Sequence, residues 1–193
     1  MDAGWIERSR LGYFADFAFY SLTVVALAGL EFGRLAGGHQ WQALACVGAG
    51  LGAWTLLEYL VHRYVLHGVR PFSRWHAMHH ERPRALIATP TPVTAALFAA
   101  LIFLPAFELG SLWFSGALTL GVLAGFVTYS SAHHAVHHVH GRSALLLGLK
   151  RWHALHHRRG ASECYGVTTR FWDHVFGTAH RTARGNPPAS IQA

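Results

Sequence analysis

The heptad RWHAMHH occupies positions 74–80, and RWHALHH returns at 151–157. The chain holds 16 histidines, and most fall into four groups. His62 and His67 lie in HRYVLH. His76, His79 and His80 form the second group. His133, His134, His137 and His138, with nearby His140, lie in HHAVHHVH, and His153, His156 and His157 form the last. On a helix, positions i, i+3 and i+4 share a face. His-x-x-His-His therefore presents three imidazoles on one stripe, able to grip one metal ion or to straddle two. His133/His137 and His134/His138 are each i, i+4 pairs, rotated by about 100° from one another, so both cannot aim at one centre from a regular helix. His62 and His67 are about 140° apart on an ideal helix. They either serve different metals or straddle a distorted turn before Gly68. His39 and His180 read as surface residues, whereas His140 and His174 stay open.

The residue types narrow the chemistry. Contact with lipid headgroups is better served by Lys and Arg, because a neutral imidazole carries no charge at pH 7. Only Glu58, Glu81, Glu163 and Asp173 lie near the histidines. A di-iron site of the soluble bundle type needs several inward carboxylates, so imidazole must do most of the ligation here. A structural zinc site would be closed and tetrahedral, usually with thiolates. Cys46 lies in an apolar run and Cys164 in a polar segment, and they imply no disulfide framework. Roughly ten spaced imidazoles suit two ions with four or five nitrogens each, and open positions favour a redox metal. Haem needs only one or two axial ligands, and a transporter places its ligands near the bilayer midplane. Haem would leave most of the set unexplained, and these histidines sit at helix ends and outside rather than at the midplane.

The elements that must position these residues are apolar. The chain has 193 residues, 52% of them hydrophobic and 13% charged, which is apolar for a soluble domain. Four long apolar runs span 14–30, 41–60, 92–107 and 112–132, each near the roughly 20 residues needed to cross a bilayer. The third is the shortest, with Pro105 near its end. The first lacks a small-residue cleavage site and reads as a retained transmembrane helix. Short connections pair the runs into two hairpins. That arrangement puts the N-terminus and the polar segments 61–91 and 131–193 on one side. Of the 16 Lys and Arg, all but Arg34 fall on that side, which marks it as cytoplasmic. The net charge of +7 is then explained by orientation and anionic headgroups rather than by nucleic acid. The expected fold is all-α and integral to the membrane. It has four transmembrane helices in two hairpins and a cytoplasmic, helical, His-rich cap.

At these residues the chain resembles the fatty acid hydroxylase superfamily of integral-membrane di-metal oxygenases, which includes sterol desaturases and methyl-sterol oxidases. The resemblance covers roughly 58–178. His62-x4-His67 matches the first histidine box, His76-x2-His79-His80 the second, His134-x3-His138 the third and His153-x2-His156-His157 the fourth. YGVTTRFWDHVFGT, at 165–178, resembles the segment after the last box. The interval from His138 to His153 follows the fatty acid 2-hydroxylase pattern and favours His134 and His138 over His133 and His137. The resemblance therefore implies His62, His67, His76, His79, His80, His134, His138, His153, His156 and His157 as metal ligands, with no catalytic residue beyond them. Chain 1–193 would be a single domain with its core at 58–178 and a disordered tail at 181–193.

The activity implied is O2-dependent hydroxylation of a lipid at two iron ions, with zinc able to replace iron in purified protein. The chain shows no cytochrome b5 domain, so an external electron donor, cytochrome b5-like or a ferredoxin with its reductase, is expected. The short interval from His67 to His76 looks more like the carotenoid-ring hydroxylases. The substrate is thus a fatty acyl or sphingolipid-like chain, with a carotenoid or sterol-like ring, or desaturation on the same scaffold, as alternatives. A membrane metal transporter is the non-enzymatic alternative. Ligating imidazoles usually donate their other N–H to a carboxylate or carbonyl. Asp173 is the first candidate for that part, then Glu163 and Glu81. Trp54, Tyr59, Phe126 and Tyr129 are candidates to line a substrate cavity.

Overall fold

The computed structural model describes residues 6–34, 38 and 40–180. His39 and the tail 181–193, read above as a surface residue and as disordered, lie outside the described residues, as does the side chain of Arg34. Helix α1 spans Arg10–Arg34 and α2 Gln40–Leu60, and α2 runs on through a π-helical turn, Val61–Leu66. Helix α3 is Phe72–Glu81 and α4 is Thr91–Phe98. A second π-helical turn, Ala99–Phe103, joins α4 to α5, Leu104–Leu109. Then follow α6, Leu112–His138, α7, Ala144–His156, and the short α8, Phe171–Val175.

Four stretches are long and apolar enough to cross a membrane: Arg10–Gly33, Gln40–Leu66, Thr91–Leu109 and Leu112–His138. They form the two expected hairpins. The third is the irregular one. Pro105 sits in the first turn of α5. Proline lacks an N–H and crowds the carbonyl four residues before it, and the widened turn at 99–103 lies where that conflict falls.

Helix α6 is the centre of the bundle. Half of its most apolar stretch is buried in the protein, against 6% for α1. It packs on α1 and, most extensively, on α2. Glycines set the α2–α6 approach. A Cβ on Gly121 would lie 2.1 Å from the Val47 carbonyl oxygen, and one on Gly50 would lie 2.4 Å from that of Leu118. Small residues let membrane helices come this close. Outward side chains such as Leu11, Leu22 and Leu101 are exposed, as surfaces facing lipid can be.

The His-rich cap is built from the π-helical end of α2, α3, the end of α6, α7, α8 and the loop 157–170. The N-terminal segment is stitched to the chain before α4. Arg8 N–H donates to the Leu86 carbonyl at 2.8 Å and Ala88 N–H to that of Ile6 at 3.2 Å. Glu7 and Ile87 form the isolated antiparallel bridge there.

Candidate metal centre

The π-helical turn answers the odd spacing of His62 and His67. Its i→i+5 hydrogen bonds widen the helix so that residues five apart can face one way. His62, His67, His76, His80 and His156 meet in one group, with their ligating nitrogens within 4.8 Å of one another. His62 Nε2 lies 3.0 Å from His76 Nε2, and His67 Nε2 lies 3.1 Å from His156 Nε2. His80 Nε2 lies 3.1 Å from both His76 Nε2 and His156 Nε2.

A second group gathers His79, His133, His137 and His153, again within 4.8 Å. His157 borders it. Its ring lies 4.5 Å from that of His153 and 4.9 Å from those of His79 and His137, and it stacks on His80 at 4.2 Å. The repeated heptad now has a geometric reason. The copy on α3 sends His76 and His80 to the first group and His79 to the second. The copy on α7 sends His156 to the first and His153 to the second. Each helix straddles both groups.

On α6 the structure brings together the other i, i+4 pair from the one the resemblance favours. His133 and His137 turn inward, while His134 and His138 stack on each other at 4.6 Å outside both groups. Helix α1 is the cause. Tyr13 O–H lies 3.3 Å from His134 Nδ1, and the rings of Phe14 and Phe17 meet His134 edge-on at 5.7 and 5.8 Å. His133 instead stacks on Tyr129, 5.8 Å away, one turn earlier on the interior side.

Backbone carbonyls orient two of the rings. His62 Nδ1 meets the Tyr165 carbonyl at 2.5 Å, and His156 Nδ1 meets that of Glu163 at 2.9 Å. A carbonyl only accepts, so Nδ1 carries the proton in both rings and Nε2 turns a lone pair inward. Glu163 thus acts through its main chain, and its carboxylate pairs with His180 at 2.9 Å. Among the described residues the Asp173 carboxylate hydrogen-bonds no histidine. It is fully buried and accepts from Tyr165 N–H, Gly166 N–H, Thr178 O–H and Trp152 Nε1–H at 2.8, 2.9, 2.8 and 3.1 Å. It shapes the loop that carries both carbonyls. Glu81 is exposed.

A residue given no role from sequence is Glu58, one turn before His62. Its Oε1 accepts from Val167 and Thr168 N–H at 2.7 and 2.8 Å, and its Oε2 from the Thr168 hydroxyl, pinning that loop to α2.

The donor set fits metal ions. Metal–imidazole bonds of about 2.0–2.1 Å allow two nitrogens on one ion to be at most about 4.2 Å apart, so the groups need close only slightly. Hydrogen bonds alone cannot satisfy them. His62 and His156 both offer lone pairs, and His80 Nε2 holds at most one proton for two neighbours. Nε2 of His79, His133 and His157 are buried with no hydrogen-bond partner among the described residues, a costly state unless something accepts their lone pairs.

The cap also keeps these rings neutral. Burial, reinforced by neighbouring imidazoles, pushes His79 down to about 3, His80 to about 4 and His157 to about 2. Burial likewise takes His156 down to about 3, although its bond to the Glu163 carbonyl opposes the shift. Neutral imidazole is the metal-binding form. An unfolded histidine takes up its proton near 6.5, so below that pH the unfolded chain binds more protons and the folded chain loses stability. Metal-stripped protein is therefore expected to melt at progressively lower temperature from pH 7 to pH 5. Metal-loaded protein, its nitrogens occupied, should hold its melting temperature further into acid. A flat profile for the stripped protein would contradict this placement of the rings.

A cavity of about 400 Å³ opens beside the histidines and runs between the membrane helices. His62, His76, His79 and His133 line one end, and Leu97 and Leu101 of the α4 span also line it. Trp54, Phe126 and Tyr129 line it as anticipated. Tyr59 does not. It is 1% exposed, stacks on Phe176 at 5.1 Å, and accepts from Arg63 at 2.7 Å while its O–H meets Thr178 Oγ1 at 2.9 Å.

Fold and site together define an all-helical integral membrane protein with two adjacent histidine groups, fit for metal ions, at one end of its helices. The family model for fatty acid hydroxylase matches residues 47–178. A dihydroceramide fatty acyl 2-hydroxylase of Arabidopsis thaliana is 32% identical over 171 residues, covering 82% of this chain and 67% of that protein. A ceramide very long chain fatty acid hydroxylase of Schizosaccharomyces pombe is 33% identical, covering 67% of this chain and 40% of that protein. A solved structure of full-length scs7p, in which only the hydroxylase domain is visible, superposes with a TM-score of 0.75 at 25% identity, covering 94% of this chain and 70% of the other. The chain belongs to the fatty acid hydroxylase family.

Proposed function

We propose that the chain is an O2-dependent hydroxylase that places one oxygen atom in a C–H bond of a membrane lipid, on a fatty acyl or sphingolipid-like chain. The observation that carries this reading is the meeting of two neutral histidine groups with an apolar cavity open along the membrane helices. Two iron ions are the proposed metals. His62, His67, His76, His80 and His156 would hold one, and His79, His133, His137 and His153, with His157 beside them, the other. When bound, the ions supply reductive activation of O2 and the attack on an unactivated C–H bond.

The chain's own residues do the rest. The carbonyls of Tyr165 and Glu163 hold His62 and His156 in the ligating tautomer. Aromatic walls at Trp54, Phe126 and Tyr129 exclude water and confine the acyl chain. The excess of Lys and Arg on the cap side supports a cytoplasmic site, where a separate redox partner, cytochrome b5-like or a ferredoxin with its reductase, delivers electrons.

The test compares lipid extracts by mass spectrometry from cells expressing the wild type or a His79→Ala, His156→Ala double variant, under air and under 18O2. The expected result is a lipid that gains one oxygen atom, labelled from 18O2 and absent with the variant. A product short of two hydrogens and without label would make the chain a desaturase. Metal uptake without lipid change would make it a transporter.

A further inference from the structure

We propose that α8 and the first half of α7 form an apolar rim on the cap that lies in the adjoining lipid leaflet, just below the headgroups. The cap is then seated in the membrane rather than standing clear of it. This surface is independent of the activity proposed above.

Helix α7 begins ALLLGL, and α8 reads FWDHV before Phe176. The histidine groups use neither run, since His153 and His156 lie at the other end of α7. Leu145 is 74% exposed, Phe171 58% and Val175 54%, against 67% for Leu22 on the outward side of α1. Single apolar residues on a surface are ordinary. These are gathered. Arg170, just before α8, donates through Nη2 to the Gly148 carbonyl at 2.6 Å, and its guanidinium lies 4.8 Å from the Trp152 ring. That tie sets the two runs side by side. A gathered apolar patch marks an interaction surface.

Height decides what covers it. Helix α8 packs on α2. Trp172 Nε1–H donates to Thr55 Oγ1 at 3.0 Å, and Phe176 stacks on Tyr59. Thr55 lies within the crossing stretch Gln40–Leu66, five residues before α2 ends at Leu60. Five residues of helix are about 7.5 Å. A helix lying in the membrane plane buries its apolar face about 5–10 Å into the boundary of headgroups and acyl chains, so the depths agree. Leu51, one turn below Thr55 on the same face, is exposed as well. The apolar side of α8 thus continues the outward surface of a membrane-crossing helix. Its other side holds Asp173, fully buried. Above α8, Tyr64 is exposed with the Arg63 guanidinium 5.0 Å from its ring, and Tyr and Arg are residue types that anchor at the headgroup level. A soluble protein or a second copy of the chain would have to displace the lipid beside Leu51, and the leaflet displaces nothing. Because α8 carries Asp173, the leaflet steadies from outside the loop that orients His62.

The test places single cysteines at Leu145→Cys and Val175→Cys in the full chain carrying Cys46→Ser; Cys164 is fully buried. Leu51→Cys is the lipid control and Arg158→Cys, exposed on the cap, the water control. Each is labelled with an environment-sensitive fluorophore and placed in phosphatidylcholine nanodiscs. Quenching is read with a nitroxide near the top of the lipid acyl chain and, separately, with iodide in the water. The labels at 145 and 175 are expected to be quenched by the lipid nitroxide as at 51, and by iodide severalfold less than at 158. Metal content equal to that of the parent shows that a labelled variant is folded. Should either variant lose its metal, Ala144→Cys on α7 or Phe171→Cys on α8 takes its place. Iodide quenching as strong as at 158 would overturn the proposal. Shielding from both quenchers would also overturn it, because protein rather than lipid would then cover the rim. Lipid quenching on one helix alone would overturn the rim as a single surface.

Discussion

His133→Ala is expected to lose metal from the second histidine group and to abolish hydroxylation, whereas His134→Ala keeps both metals and most of the activity. His133 Nε2 is buried with no hydrogen-bond partner among the described residues, and its nitrogen lies within 4.8 Å of those of His79, His137 and His153. Removing it takes away one nitrogen of four and leaves a gap in a buried site. Loss of an outer partner of a metal ligand costs roughly 10- to 100-fold in affinity or activity, and loss of a ligand should exceed that. His134 is packed between α1 aromatics and His138. Its loss removes the contact with Tyr13 and some ring packing, an effect on stability of about 1 kcal/mol. Metal content by elemental analysis of membrane-purified variants, beside product formation, separates the two. Full metal content in His133→Ala with depletion in His134→Ala would restore the register that the box spacing suggested.

That register shows where the sequence was legible. The four spans, their pairing and the gathering of histidines at one end follow from hydropathy and i, i+3, i+4 spacing, both local properties. Which of two adjacent i, i+4 pairs faces inward depends on what covers each side of α6, and that is a tertiary fact. A trace of it lies in the sequence. Gly125, Tyr129, His133 and His137 follow one another at four-residue steps. A Cβ on Gly125 would meet the Trp54 ring at 2.4 Å, so the glycine marks the side that packs on α2. The π-helical turn at 61–66 is a second case. HRYVLH has no residue that forces a widened turn, and only the need of His62 and His67 to reach one group shows it. Glu163 is the third. It had been singled out for its carboxylate, yet its main-chain oxygen meets His156. Side-chain chemistry is written in a sequence, and a carbonyl's direction is not.

The loop that supplies those carbonyls carries the second large effect. Asp173→Ala is expected to destabilise the protein by about 3 kcal/mol or more, because three buried donors and the half-buried Trp152 Nε1–H lose their acceptor and each unsatisfied buried group costs about 1–3 kcal/mol before relaxation. Two of the donors are the N–H groups of Tyr165 and Gly166. Gly166 has no room to move aside, since a Cβ there would lie 1.9 Å from the Thr169 carbonyl oxygen. The turn is therefore tight, and Asp173 fills its centre. Thr178 links the same carboxylate to Tyr59, and Tyr59 accepts from Arg63, so the loop is also tied to the helix that bears His62. Once the loop loosens, the Tyr165 carbonyl no longer fixes the proton on His62 Nδ1, and the first metal should bind roughly 10- to 100-fold more weakly. Asp173→Asn separates the two consequences. It keeps an acceptor for part of the network and should recover some melting temperature while still binding metal more weakly than wild type. Thermal melts in detergent, paired with metal titration of stripped protein, read both quantities. Unchanged metal affinity in a destabilised Asp173→Ala would confine the residue to holding the fold and would break the proposed link from its carboxylate, through the loop, to His62.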